Sequence, residues 1–270
     1  MKNILITGCS SGIGFESAMH LKAKGYNVYA TARSQKDVED LKKLDFDAIY
    51  LDVKDHKSIT DAINYILNKA QTIDVVFNNA GYGQIGALED IETKHLKEQF
   101  DTNVFGLHEV TRQIIPIMKK QGYGKIINHS SVLGLISLKF RGAYNASKYA
   151  IEGLSDTLRL ELMDSNIHVS LLNTGPVSSK FRKNAVENFK KTVDIENSEF
   201  KDIYKEEMAK NKSDVPFNLE AIEVAKIVEK IVLSNKPKPR YYITKATYIL
   251  GYLKRVLSTK QLDFILNKIG

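Results

Sequence analysis

The sequence predicts a doubly wound α/β fold, a parallel sheet with helices on both faces, and three observations predict it. Short apolar runs alternate with segments of helical period along nearly the whole chain. The first of these runs leads through a glycine-rich loop into a helix, which is how a βαβ unit opens. The length, 270 residues, is one at which such a fold forms a single domain around a large core.

Residues 2 to 7 read as the first strand, Gly8-Cys9-Ser10-Ser11-Gly12-Ile13-Gly14 as the loop, and an amphipathic helix follows through about Lys24. The glycines let the backbone approach a pyrophosphate, and the free N–H groups and dipole of the helix start favour its charge. Gly8, Ser10, Ser11, Gly12, Ile13 and Gly14 are therefore candidate cofactor-binding residues. A second strand, Asn27 to Ala32, ends at Arg33-Ser34, about twenty residues past Gly14. An NAD site places an acid there for the ribose hydroxyls, whereas a cation accommodates a 2′-phosphate. Ala32 supplies no carboxylate, and Arg33 supplies a bidentate cation with Ser34 and Lys36 beside it. NADP(H) is thus expected in preference to NAD(H). A third strand, Ala48 to Leu51, leads to Asp52-Val53, where the carboxylate can meet an adenine amino group or cap a helix starting near His56.

The fourth strand, Ile73 to Phe77, runs into Asn78-Asn79-Ala80-Gly81-Tyr82-Gly83. Small residues and amides at a strand's carboxyl end suit a ligand lying over the sheet, or simply a turn. A long helix pattern from Thr93 to Lys119 carries Asn103 in its middle. Asn is disfavoured there unless its side chain has a task, so Asn103 marks a distorted backbone or a bound water, or else an exposed position. A fifth strand from Lys125 ends in Ser130-Ser131, and after a loop a helix spans Ala143 to Met163. Tyr144 and Lys148 lie at i and i+4 on it and share one face. Proton transfer to a carbonyl receiving a hydride uses such a pair: a free phenol titrates near ~10, and a neighbouring ammonium favours its ionised form. Ser131 would hydrogen-bond the same substrate oxygen. The spacing alone does not define a site, because Tyr50 and Lys54, Tyr65 and Lys69, and Tyr241 and Lys245 share it. A sixth strand, His168 to Leu172, enters Asn173-Thr174-Gly175-Pro176-Val177.

Residues 180 to 217 are polar and charged with Phe181, Phe189, Phe200, Tyr204 and Met208 interspersed, followed by a helix from Leu219 to Leu233 and a last strand near Tyr241. Residues 245 to 270 repeat an apolar stripe at helical spacing among Lys245, Lys254, Arg255 and Lys260, which suits packing on the core or a second subunit, or a membrane surface. The net charge is +7, and residues 180 to 270 hold 19 Lys and Arg against 12 Asp and Glu, so all of the excess lies there. That favours an anionic neighbour, either a lipid surface or a phosphorylated or thioester-carrier substrate, or is a solvated basic surface. Composition is that of a soluble globular protein, 43% hydrophobic and 26% charged. The single Cys9 permits no intrachain disulfide, and the six His lack metal-ligand spacing, so no metal is expected. No signal peptide or membrane span is apparent, a cytoplasmic location is the default, and no nucleic-acid-binding module is present.

In their order along the chain, Thr7-Gly8-x-x-x-Gly12-Ile13-Gly14, Asn78-Asn79-Ala80-Gly81, Asn103, Ser131 and Tyr144-x-x-x-Lys148 resemble a short-chain dehydrogenase/reductase over essentially the whole length. The resemblance implies a single-domain Rossmann fold whose seven-stranded parallel sheet has the order 3-2-1-4-5-6-7. It implies that Tyr144 is the acid–base, that Lys148 holds the nicotinamide ribose and lowers the Tyr pKa, that Ser131 orients the carbonyl, and that Asn103 holds a water in a proton relay. Gly175, Val177 and Ser179 would meet the nicotinamide end of the cofactor, residues 180–217 would cover the substrate as a lid, and the long helices flanking the fifth strand would form a homodimer or homotetramer. Two departures stand out: Thr174 occupies a position where the family usually has Pro, and Ser179 one where it often has Thr. Within the family, Ala30-Thr31-Ala32-Arg33 and Asn79-Ala80-Gly81-Tyr82-Gly83 are most similar to the 17β-hydroxysteroid, retinol and acyl-dihydroxyacetone-phosphate reductases. The expected activity is NADP(H)-dependent interconversion of a hydrophobic carbonyl and its alcohol. The alternative, a non-catalytic NADP-binding sensor, would be expected to lack Tyr144 or Lys148, and both are present.

Overall fold

The computed structural model of the chain describes residues 1–209 and 217–269; positions 210–216 of the insertion, the side chains of Glu207, Met208 and Ala209, and Gly270 lie outside the described residues. Six strands enter one parallel sheet in turn: β1 (Asn3–Ile6), β2 (Asn27–Ala32), β3 (Asp47–Tyr50), β4 (Val75–Asn78), β5 (Gly124–Ser131) and β6 (Ile167–Thr174). Two short strands, β7 (Val177–Ser178) and β8 (Leu219–Glu220), pair only with each other, and β9 (Arg240–Tyr242) completes the sheet in the order β3-β2-β1-β4-β5-β6-β9. The expected order holds, with β9 as the seventh member. The chain reverses its direction of growth between β1 and β4, which opens a crevice above their carboxyl ends.

Successive side chains of β1 alternate between two cores. Ile4 and Ile6 pack with Phe77, Ile127 and Leu172 on the face covered by α1 (Gly12–Ala23), with α2 (Gln35–Lys43) beside it, and by the later helix 221–233. Leu5 packs with Val76, Ile126 and Val169 on the face covered by α3 (His56–Ala70), where Ile59, Ile63 and Ile66 are buried. Both faces are dry, which explains why the strands read as continuous apolar runs.

The long helix expected from Thr93 is three pieces: α4 (Thr93–Phe100), a π-helical turn over Asp101–Gly106, and α5 (Leu107–Gln121). The wide turn carries Asn103 inward, where its side chain is buried. Gly106 presses on Val53 so closely that a Cβ there would lie 2.7 Å from the Val53 Cβ. The cap ahead of α3 is Asp55, whose side chain accepts from the Lys57 N–H. Asp52 instead accepts from the Lys54 N–H at 3.0 Å, so it organises the preceding turn and does not cap the helix. The pair Tyr65 and Lys69 proves to be a surface cluster on Asp47.

After β5 come α6 (Gly142–Glu161), the insertion helices α7 (Phe181–Thr192) and α8 (Lys201–Ala209), α9 (Ala221–Leu233), and a terminal pair, α10 (Lys245–Val256) and α11 (Thr259–Ile269). α9 packs on α1, and the terminal pair packs Leu250, Leu253, Leu257, Leu262 and Leu266 against Val132 and Ile136 in the loop after β5. The edge strand β9 is fastened by charge: Arg240 reaches Glu152 at 3.0 Å and Asp156 at 2.5 Å, both on α6. Among the described residues no helix is long and apolar enough to cross a membrane.

Glu152 is buried and also accepts hydrogen bonds from Ser130 and Asn173, so removing Arg240 strands a carboxylate inside the fold. Arg240→Ala is expected to lower unfolding free energy by about 2–3 kcal/mol, at the weaker end for a buried pair because Arg240 is 24% exposed. Chemical denaturation of the two proteins measures it.

Candidate active site

The carboxyl ends of β1, β4, β5 and β6 are stitched together by side chains. Thr7 Oγ1 accepts from the Asn79 and Ala80 N–H groups at 3.0 Å, and Asn79 Nδ2 donates to the carbonyls of Thr7 and Gly8, each at 3.0 Å. The Asn79 side-chain oxygen lies 3.1 Å from His129 Nδ1, and His129 Nε2 lies 3.1 Å from Thr174 Oγ1. With both Asn79 donors spent on carbonyls, His129 Nδ1 carries the proton and Nε2 is left as an acceptor facing the Thr174 hydroxyl, which also has the Ser130 carbonyl at 3.3 Å to donate to. Burial first, and the Lys148 charge second, push the His129 imidazole down to about 3, so it stays neutral.

The glycine loop sits at the β1 end of this seam. Gly8 and Gly12 have φ of +73° and +61°, in the left-handed region. A Cβ on Gly14 would run into the Gly8 carbonyl and Asn79 Nδ2, so only glycine lets α1 start this close. Ser11 precedes α1 without a side-chain cap, Ser10 is exposed, and Ile13 packs on the core. Ser10, Ser11 and Gly12 line a cleft of about 570 Å³ together with Ser178 and Ser179. Val177 is half-buried in β7, while Gly175 fits against Thr244, where a Cβ would collide with the Thr244 hydroxyl. Arg33 is exposed at the end of β2 and forms no ion pair among the described residues. Ser34 caps α2 by accepting from the Asp37 N–H. Asp52 is half-buried and Val53 buried beneath Gly106.

At the other end of the seam lie the hydroxyls and the ammonium. Lys148 is buried and donates to the His129 carbonyl at 2.6 Å, with Nζ 5.6 Å from the centre of the Tyr144 ring. Ser131 donates to the Thr174 carbonyl at 3.3 Å and accepts from the Leu133 N–H at 3.1 Å, with its hydroxyl beside the Tyr144 phenol. Burial pushes the Tyr144 phenol up to about 12 against the lowering effect of Ser131, and pushes the Lys148 ammonium down to about 8 against the raising effect of Glu152. Desolvation governs the Tyr144 shift, and the lowering contact that opposes it is Ser131, not the Lys148 expected from the sequence. Asn103 clasps Tyr82: its side-chain oxygen accepts from the Tyr82 N–H at 3.0 Å, and its amide donates to the Tyr82 carbonyl at 3.0 Å and to Ser147 at 3.2 Å. Gly81 lies beside it, where a Cβ would be 3.1 Å from the Asn103 side-chain oxygen.

An aromatic wall faces the phenol. The Phe181 ring, first in α7, lies 5.6 Å from the Tyr144 ring, and Gly83 makes room for it. The insertion behind it is pinned to the β4–α4 loop: Tyr204 donates to Asp90 at 2.6 Å and accepts from the Ala87 N–H at 2.7 Å, among Phe140, Phe189 and Phe200. Among the described residues no group of three or more acidic, Cys or His side chains could hold a metal. Sequence reasoning missed His129, Glu152 and Arg240. Thr174, noted there only as a departure, is the available signal, because its hydroxyl calls for a partner.

A parallel sheet of this order, with a glycine loop at its switch point and Tyr, Lys and Ser converging beside it, defines a nucleotide-dependent oxidoreductase fold. The family model for short chain dehydrogenases matches residues 2–190, and the chain belongs to that family. It is 38% identical over 266 residues to the protein called uncharacterized oxidoreductase YbbO of Escherichia coli (strain K12), covering 98% of this chain and 94% of that one. It is 34% identical over 257 residues to retinol dehydrogenase 8 of Bos taurus, covering 88% and 80%. The solved structure of ElxO with NADP bound superposes with a TM-score of 0.74 at 25% identity, covering 90% of this chain and 96% of that one. The protein is an oxidoreductase of this family.

His129 is depressed from its ordinary value to about 3, so between roughly pH 6.5 and 3 the unfolded chain binds a proton that the folded chain does not. Its contribution is present above that window and is lost as pH falls through it. Unfolding free energy is expected to fall with a slope of up to about 1.4 kcal/mol per pH unit from this group. In His129→Gln that component of the slope should vanish, as denaturation across the acid range will report.

Proposed function

We propose that this chain is an NADP(H)-dependent oxidoreductase that interconverts a hydrophobic carbonyl and its primary or secondary alcohol, of steroid-, retinoid- or acyl-like character. The observation that carries the proposal is the convergence of the Tyr144 phenol, the Ser131 hydroxyl and the Lys148 ammonium at one end of a seam whose other end holds the glycine loop. NADP(H) supplies the hydride. Its holding residues are Gly8, Ser10, Ser11, Gly12, Ile13 and Gly14 at the pyrophosphate, Arg33 and Ser34 at the 2′-phosphate, and Asp52 and Val53 at the adenine. Asn79, Ala80 and Gly81 would hold its middle, and Gly175, Val177 and Ser179 would take the carboxamide end. The residues fit the cofactor: a glycine cradle that a Cβ would fill opens on a cleft of about 570 Å³, and Arg33 is a cation without an ion pair among the described residues. The NADP in the ElxO structure supports the same choice.

In reduction, Tyr144 donates its phenolic proton to the substrate oxygen while Ser131 holds that oxygen in line. A phenol at about 12 is protonated at neutral pH, the form a donor needs. Lys148 holds the nicotinamide ribose. The bonds to the Tyr82 carbonyl and to Ser147 occupy both N–H bonds of the Asn103 amide, so the widened backbone of its π turn is the part left for a water of the proton relay. Phe181 and the insertion behind it serve as the substrate's lid, excluding water from the reacting oxygen. The name of retinol dehydrogenase 8 supports an apolar substrate. The assembly is a homodimer or homotetramer through α5 and α6, whose Leu154 and Leu160 are exposed, and the location is the cytoplasm. A non-catalytic sensor is disfavoured by the retention of both Tyr144 and Lys148.

Tyr144→Phe is expected to lower turnover of NADPH with a carbonyl panel by about 10²–10⁴-fold while its NADPH affinity, read by fluorescence titration, changes little. A mutant keeping most of its activity removes Tyr144 from this role. Arg33→Ala should weaken NADPH about 10- to 100-fold, the worth of a charge-assisted contact, and leave NADH nearly unchanged. Equal losses for both cofactors would show that Arg33 does not read the phosphate.

A further inference from the structure

Helix α10 has two faces, and on one of them the only ring contact among the described residues is that of Tyr248 with Tyr242 of β9, 5.5 Å between centres. Leu250 and Leu253 pack under the loop after β5, with Thr247 and Gly251 buried beside them. A Cβ on Gly251 would lie 3.3 Å from Leu135, in the loop that follows Ser131. The other face carries Tyr252, Tyr248, Val256 and Ile249, which are 66%, 60%, 55% and 49% exposed. With Lys245 and Arg255 they fall within about 120° of the helix circumference. No acidic residue occurs anywhere in α10, and among the described residues none of Lys245, Lys254, Arg255 and Lys260 has an ion-pair partner. In α11, Phe264 adds a further ring, 65% exposed, with Lys268 stacked 4.2 Å from its centre.

We propose that this face of α10 docks on an anionic lipid surface, with the tyrosines and aliphatic side chains entering the headgroup region and the cations meeting the lipid charge. Three arguments select that occupant. An interfacial helix combines an apolar, aromatic-bearing face with flanking cations and lacks the length to span, and α10 has that pattern in 12 residues. The net charge of +7 resides entirely in the last third of the chain, where α10 lies, which complements an anionic surface. A second copy is disfavoured, because a two-fold contact of this patch with itself brings the Lys245 and Arg255 cations of one copy against those of the other, and α10 carries no acid to offset them. Docked in this way, the helix holds the loop that follows Ser131 about one helix diameter, roughly 10 Å, from the lipid.

The proposal stands apart from the hydride-transfer reading, since it is tested without turnover. The full chain contains no Trp, so Tyr252→Trp provides a single reporter whose emission is expected to shift to the blue on vesicles containing phosphatidylserine, but not on phosphatidylcholine alone. Binding of the unmodified chain, read by vesicle co-sedimentation, should weaken at high salt. Lys245→Gln/Arg255→Gln should lower it about 25-fold at about 1 kcal/mol per cation. Tyr252→Ser/Val256→Ser should lower it further without changing the unfolding temperature, as both side chains are exposed. Absence of vesicle binding at low salt, binding indifferent to the Tyr252→Ser/Val256→Ser change, or ready disulfide cross-linking of two copies through Tyr252→Cys in solution would each overturn the proposal.

Discussion

The structure depends on a line of side-chain hydrogen bonds across the ends of four parallel strands, running from Thr7 through Asn79 and His129 to Thr174. A doubly wound sheet opens a crevice where its order reverses, but the topology alone does not fix how far apart the flanking loops stand. The seam fixes it. Asn79 holds the Gly8 carbonyl at one end, and at the other the His129 and Thr174 carbonyls receive Lys148 and Ser131. Each bond contributes little by itself, yet leaving one buried partner unmade costs about 1–3 kcal/mol, so the seam acts as a unit.

Much of this architecture was legible in the sequence because it is local. Strand β2 falls where its apolar run places it, and the seven-stranded parallel order matches, because sheets buried on both faces declare themselves as apolar runs. Tyr144, Lys148 and Ser131 are near one another, as helical period and a strand end require. What stayed hidden was pairing between remote positions. His129 reads as an ordinary strand residue until Asn79 and Thr174 are seen on either side of it. Glu152 and Arg240 lie 88 residues apart, and nothing local marks either as the other's partner. The long helix through Asn103 reads as continuous because a π turn leaves the period of its flanks nearly unchanged, while the close approach of Gly106, at the end of that turn, to Val53 is a tertiary contact.

The same burial that builds the seam sets the charge states of the candidate acid–base. Desolvation moves a phenol and an ammonium in opposite directions, and here it carries Tyr144 up to about 12 and Lys148 down to about 8. Glu152 opposes the second shift, so the carboxylate that Arg240 anchors also supports the ammonium one helical turn away. The remote ion pair and the site are therefore one electrostatic system, although the strand holding Arg240 is the last to join the sheet.

That ordering of charge states keeps the phenol protonated in this chain's own residues. Near neutral pH the phenol is protonated and the ammonium is largely charged, which is the state a proton donor to a nascent alkoxide requires. Alcohol oxidation requires the phenolate instead. As pH rises, Lys148 gives up its proton before Tyr144 does, so the charge that would stabilise a phenolate is lost before the phenolate forms. Additional positive charge beside the phenol, as an oxidised nicotinamide ring carries, is what oxidation would have to bring to the site. The charge that would ionise Tyr144 would therefore have to come from beyond Lys148, because the burial that holds the phenol protonated also weakens the ammonium beside it.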